Sequence, residues 1–192
     1  MELTGRCYSG WNIAGDHAIS LLMPAKKPIE IPPRGTRGTN MPFQRGLMRL
    51  AQPLLDMQVS RYRRTAGPTQ PRAMGFPIVL LTTVGARTGK ERTHVLGGFP
   101  DGDDAWLVVA SKGGASTHPA WFINLAKNPD KIWIEVGNRK LLADVESLQG
   151  SEREAALARV AAIAPRYREY QKKTDREIPV LQLTPAANQP NR

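Results

Sequence analysis

The run from Phe76 to Val84 is aliphatic and β-branched, with no polar side chain before Thr82. It is too short and too uniformly apolar for a half-exposed element, and it reads as a strand buried on both faces. A chain holding such a strand must cover both sides of the sheet. A turn signal follows at Gly85 to Lys90, extended character resumes from Arg92 to Phe99, Asp101-Gly102-Asp103 marks a second turn, and Trp106 to Ala110 is another strand. A three-stranded antiparallel meander is the simplest account. His118 to Asn128 then has helical spacing, and Ile132 to Val136 and Lys140 to Val145 flank a Gly137-Asn138 turn. Ser151 opens a helix with Glu154 three residues on, the pattern of a capping box. That helix breaks at Pro165, restarts toward Tyr170 and gives way to a last strand at Ile178 to Leu183. The order predicts a mainly β, α+β domain over 76–184, a small barrel or strongly curved antiparallel sheet with helices packed outside. No Rossmann fingerprint interrupts it.

Residues 1–40 lack periodicity and are rich in Pro, Gly and basic residues, so they predict a disordered leader. Met41 opens a new pattern and is read as an alternative start of translation, which would leave the leader untranslated. The segment 41–68 contains a basic amphipathic helix, 42–64, with apolar positions at Phe43, Leu47, Leu50, Leu54 and Tyr62. Its apolar face is expected to cover the barrel, with peripheral contact to an anionic membrane as the second reading. The tail, 185–192, is polar and expected to be loose. With 27 basic and 17 acidic residues the net charge is +10, which calls for an anionic partner. Cys7 is the only cysteine, so intrachain disulfides and cysteine-based metal sites are excluded. No apolar run reaches the roughly 18 to 20 residues of a membrane span, and a cytoplasmic location is expected. His17, His94 and His118 are too scattered in sequence for a metal site.

Two loops carry the chemistry. The glycine-flanked turn after Val84 holds Arg87, Lys90 and Arg92, and the end of the Trp106 strand runs into Ser111, Lys112, Gly113 and Gly114. Glycines admit an anion close to backbone N–H groups, and the cations neutralise it. Ending neighbouring strands on the same side, the two loops would form one anion site. An ordinary exposed hairpin with solvated charges is the competing reading of the first loop, whose spacing is not that of a P-loop.

Taken in order, Thr82-Thr83-x-Gly85-x-Arg87-x-Gly89-Lys90-x-Arg92, Val109-Ala110-Ser111-Lys112-Gly113-Gly114, His118-Pro119-Ala120-Trp121-Phe122-x-Asn124-Leu125-x-x-Asn128-Pro129, Tyr167-Arg168-Glu169-Tyr170-Gln171 and Thr174-Asp175-Arg176-x-Ile178-Pro179-Val180 resemble the deazaflavin-dependent nitroreductase family. The resemblance implies a split β-barrel of the FMN-binding-like kind and the coenzyme F420, whose tail carries a phosphodiester and glutamates. It implies that Arg87, Lys90 and Arg92 bind that tail, that Ser111, Lys112, Gly113 and Gly114 line the phosphate and ring, and that Tyr167 and Tyr170 face the acceptor. Trp121 is either a site residue or a helix anchor.

Two positions depart from the family pattern. Ala164 stands where some relatives have tyrosine, and Gly97-Gly98 stand in place of an aromatic pair. Both suggest a wider pocket, for a quinone, an enone or a lipid-like acceptor, so specificity for nitro compounds in particular is not carried over, and a nitro compound, a quinone or an enone all stand as expected acceptors. The implied activity is hydride transfer from reduced deazaflavin to a small electron-poor acceptor. The alternatives are a non-catalytic deazaflavin- or lipid-binding barrel and an FMN enzyme on the same fold. A nucleic-acid partner is not expected, because the basic residues alternate with strands instead of lining a surface with interleaved aromatics. The sequence leaves the oligomeric state open.

Overall fold

A computed structural model of the chain describes residues 28–39 and 52–187. Helix α1 (Gln52–Thr65) is followed by β1 (Arg72–Ala73), β2 (Phe76–Val84), β3 (Glu91–Gly97), β4 (Phe99–Pro100) and β5 (Trp106–Val109). A short turn at Lys112–Gly114 leads to α2 (Ala120–Lys127), then β6 (Ile132–Val136), β7 (Arg139–Leu148), α3 (Gly150–Ile163), α4 (Arg166–Lys173) and β8 (Val180–Pro185).

The strands form one curled antiparallel sheet of eight strands in the order β1-β2-β6-β7-β8-β5-β4, with β3 also on β2. The expected meander is therefore wrong at its third strand. β3 pairs with β2 over Ile78–Val84, but β5 pairs with β8 and β4. The two-residue strand β4 takes the chain around the corner from one edge of the barrel to the other, which no local signal announces.

Period-two alternation places the side chains. Val79 and Leu81 of β2, Val108 of β5 and Leu181 and Leu183 of β8 point into the barrel, where they meet Phe122 and Leu125 of α2. The intervening residues point outward to helices. Leu107, Val109 and Val180 lie under Leu157 and Val160 of α3 and Tyr167 of α4, while Leu80 lies under Val59 and Tyr62 of α1. Both faces of β2 are thus covered, as its sequence requires.

Helix α1 packs on the barrel through Val59 and Tyr62, with Ala66 just after it, and Tyr62 donates to Glu135 O (2.9 Å) and accepts from Gly137 N (3.0 Å). Arg63 adds a two-pronged ion pair to Glu135 at 2.9 and 2.6 Å. Leu54, expected on the buried face, is 51% exposed. The positions expected before Gln52, including Phe43, Leu47 and Leu50, lie outside the described residues. Among the described residues no helix is long and apolar enough to cross a membrane.

The capping box at Ser151 does not form. The helix starts at Gly150 with Gln149 at its N-cap and no side-chain cap, and Glu154 instead contacts the guanidinium of Arg153. That guanidinium is buried and bonds Ile178 O (3.0 Å) and Gln171 Oε1 (2.7 Å), tying α3 to α4 and to the segment that enters β8. Of the expected leader, residues 28–39 are described, and they run as an extended strap against the turn after β5. Ile29 inserts into the main core. The rest of the leader, 1–27 and 40, lies outside the described residues.

Candidate functional site

The strands β2 and β5 are separated by four antiparallel pairings, β2-β6, β6-β7, β7-β8 and β8-β5. They therefore run in the same direction, and the loops leaving Val84 and Val109 emerge at the same end of the barrel. Lys90 is on the first loop, and Arg87 and Arg92 line a groove of about 1290 Å³ there. Its walls are α1, the start of α2, β3 and the strap, the last through Arg34.

The first loop is held from within and from α2. Gly85 N donates to Lys90 O (2.9 Å) and Gly89 N to Gly85 O (2.8 Å). Asn124 Oδ1 accepts from Ala86 N (3.1 Å), and Asn128 Nδ2 donates to Val84 O (3.0 Å). Asn124 lies in α2 and Asn128 at its C-cap, and together they clamp the loop at its entry, with Arg87 and Arg92 lining the groove. His94 also lines the groove. Among the described residues its buried Nε2 has no hydrogen-bond partner, and burial, then the charge of Arg92, hold its pKa below the usual imidazole value.

The second loop is strained. Ser111 is right-handed (φ −70°, ψ −39°), while Lys112, Gly113 and Gly114 have φ of 47°, 65° and 81°. A right-handed residue followed by a left-handed one turns successive N–H groups into a concavity that suits an anion. Glycine enters the left-handed region freely, but lysine does not, so Lys112 is held there by its surroundings. Its Nζ donates to Thr117 Oγ1 at 2.8 Å. Burial, then the charges of Arg176 and Arg34, lower its pKa.

Arg176, which has no role in the sequence reading beyond its place in a motif, is what holds the turn. It is 2% exposed. Its Nε donates to Ala115 O (2.7 Å), and its Nη2 to Ala110 O (3.0 Å) and Ser111 O (2.9 Å). Nη1 lies 3.3 Å from His118 Nδ1. A guanidinium only donates, so Nδ1 accepts and His118 Nε2–H donates to Pro32 O at 2.9 Å. Among the described residues Arg176 has no carboxylate partner, and burial lowers its pKa to about 10. Arg176, Lys112 and Arg34 thus gather positive charge that no acid among the described residues pairs with, an arrangement suited to an anionic ligand.

The tyrosines sit apart from the groove. Tyr167 is 8% exposed, with its ring edge-on to Phe99 (5.3 Å) and Phe76 (6.2 Å), and burial raises its pKa to about 12. Tyr170 is half-buried, 5.5 Å from Tyr167, and its backbone abuts Gly114. The space expected at Gly97-Gly98 does not exist. A Cβ at Gly97 would lie 2.5 Å from the Tyr167 hydroxyl, and one at Gly98 would strike Val79. Ala164 is buried too. Beside Gly97 the bulk is supplied by Tyr167, Phe99 and Phe76, and beside Gly98 by Val79. Trp121 proves to be a core anchor, packed edge-on to Phe122. Among the described residues no three His, Cys, Asp or Glu side chains converge as metal ligands.

A curled antiparallel sheet of this order, with two basic loops leaving strands of the same direction at one end, is a split-barrel fold. The family model for the F420H(2)-dependent quinone reductases matches residues 54–185, and the chain belongs to that family. The F420H(2)-dependent quinone reductase of Mycobacterium tuberculosis is 40% identical over 137 residues, 68% of this chain and 89% of that protein. Among solved structures, an F420-H2 dependent reductase (FDR-A) shares 38% identity over 59% of this chain and 98% of its own, with a TM-score of 0.51. A chain described as a domain-swapped dimer shares 33% identity over 67% and 93%, with a TM-score of 0.53.

Proposed function

We propose that the protein reduces a quinone or a similarly electron-poor acceptor with F420H(2) bound in the basic groove. The observation that carries this reading is the excess of positive charge at the two loops, with Arg87 and Arg92 in the groove on one side and Lys112 beside buried Arg176, which has no carboxylate partner among the described residues, on the other. An acidic tail and a phosphodiester match that pattern better than the single phosphate of FMN. Arg87, Lys90 and Arg92 hold the glutamates, and the Ser111–Gly114 concavity holds the phosphate and the adjoining ring edge. When bound, the reduced deazaflavin supplies a hydride from C5.

The protein contributes orientation, charge neutralisation and a proton. A quinone that accepts a hydride becomes a hydroquinone anion and needs one proton to finish. Tyr170, half-buried beside the Gly114 turn, is assigned to donate it and to recover it from water. Tyr167 stays neutral through the physiological range because burial raises its pKa to about 12, and its edge-on ring fixes Tyr170. The acceptor-facing role of both tyrosines is part of the same proposal, as is the acceptor itself.

Titration of the full chain with F420 and with FMN, followed by tryptophan fluorescence at low and high salt, tests the reading. Micromolar or tighter F420 binding that salt, Arg92→Ala and Lys112→Ala each weaken supports it. Preference for FMN, or no binding of F420, overturns it.

A further inference from the structure

The strap 28–39 precedes the stretch that the family model matches, 54–185, yet it is stitched to the phosphate turn along its length. Gly35 N donates to Ser116 O and Thr39 N to Gly114 O, both at 2.9 Å, and Thr39 Oγ1 donates to Gly113 O at 2.8 Å. Asp175 receives Thr36 N (3.1 Å), Thr36 Oγ1 (2.6 Å) and Arg37 N (3.0 Å), while Thr174 Oγ1 donates to Arg37 O (2.9 Å). Together with the Pro32–His118 bond and buried Ile29, these contacts fix the backbone on both sides of Arg34.

Arg34 itself is exposed and has no hydrogen-bond or ion-pair partner among the described residues. Its side chain lines the groove shared with Arg87 and Arg92. It is also near enough to lower the pKa of Lys112 and of His118. The same groove is lined by Asp56 and Glu91, but the cations Arg34, Arg63, Arg87 and Arg92 outnumber them, and a cation presented by so well-anchored a backbone among them is attracted by an anion that spans the two loops.

We propose that Arg34 is a further ligand of the cofactor's anionic portion, bridging the phosphate turn at Lys112 and the tail-binding loop at Arg87 and Arg92, with the strap as the element that positions it. This rests on the F420 reading of the groove and extends it to a residue before the matched region.

The test uses the full chain with Arg34→Ala, Arg34→Lys, Asp175→Asn and, as reference, Arg92→Ala. Each is titrated with F420 and with the deazaflavin chromophore lacking phosphate and glutamates. Arg34→Ala weakens F420 about tenfold, the scale of one charge-assisted hydrogen bond, and flattens the salt dependence. It leaves the truncated chromophore unchanged, and Arg34→Lys recovers part of the loss. Asp175→Asn, which loosens the clasp, shifts F420 in the same direction by less. Wild-type affinity in Arg34→Ala, with Arg92→Ala still weakened, overturns the inference and leaves the groove assignment standing. Equal losses for both ligands show that Arg34 acts on the fold and also overturn it. If the unaltered chain does not bind F420, the groove assignment and the inference fall together.

Discussion

Lys112 combines two demands that can be separated by substitution. Its ammonium is assigned to the proposed anion site, while its backbone occupies the left-handed region at φ 47°. Lys112→Ala keeps the strain and loses the charge, whereas Lys112→Gly loses both. The glycine variant should be the more stable of the two by about 1 kcal/mol in urea unfolding, with both equally weakened toward F420. Equal stability would mean that the turn is not strained. The buried imidazoles make a second residue-scale expectation. His94 is held below its ordinary pKa by burial and then by Arg92; His118 is held below by burial, a shift that its bond to Pro32 opposes and the charge of Arg176 reinforces. Because the folded state takes up these protons later than the unfolded chain, stability is complete above about pH 6.5 and declines as the pH falls through it. Asp175, with its pKa held at about 2 first by the Thr36 hydroxyl, adds loss only under more acid conditions. Thermal melts at about pH 7.5 and 5.5 should show the lower Tm at the acid value, and a flat profile would refute the neutral assignment of the histidines. At this scale the sequence disclosed the cations of the two loops, since glycines and basic residues cluster there. It did not disclose Arg34 or the work of Arg176. One lies in a Pro- and Gly-rich segment with no periodicity, and the other acts through carbonyls more than sixty residues away.

Elements whose burial follows a local period were legible, and elements placed by a long-range contact were not. The strands β2, β5 and β6 and the helix α2 fall where alternation or helical spacing puts them. The buried face of α1 departs from the expected one: it lies at Val59 and at Tyr62, which is fixed by Glu135 O and Gly137 N, and Leu54 is left in solvent. Likewise Glu154 is drawn from the N-terminus of α3 to a buried arginine. Helix α2 also carries an expectation of its own. Removing the Asn124 or the Asn128 side chain strips a hydrogen bond from Ala86 N or Val84 O, and each alanine variant should lose about 1 kcal/mol. The more useful readout is amide exchange. The loop from Gly85 to Lys90 should exchange faster in both variants and F420 affinity should fall, while α3 and α4 keep their protection. Unchanged exchange in the loop would show that the asparagines do not clamp it.

At the scale of the whole molecule, the sequence specified a barrel with outer helices but not the order of its strands, because the turn at Gly98 and the return of β8 depend on pairings across the entire domain. That order has a consequence for synthesis. β8 lies between β7 and β5, so β5 keeps an open edge on that side until Val180–Pro185 has left the ribosome. During that interval Trp106–Val109, all buried in the finished protein, offers an apolar strand to any neighbouring chain. Nascent chains stalled before Ile178 should therefore associate with chaperones or pellet, and chains released a few residues past Pro185 should not. Soluble chains stalled before Ile178 would show that the open edge is harmless. The protein's yield in a cell is then set in part by how quickly the ribosome reaches its last strand.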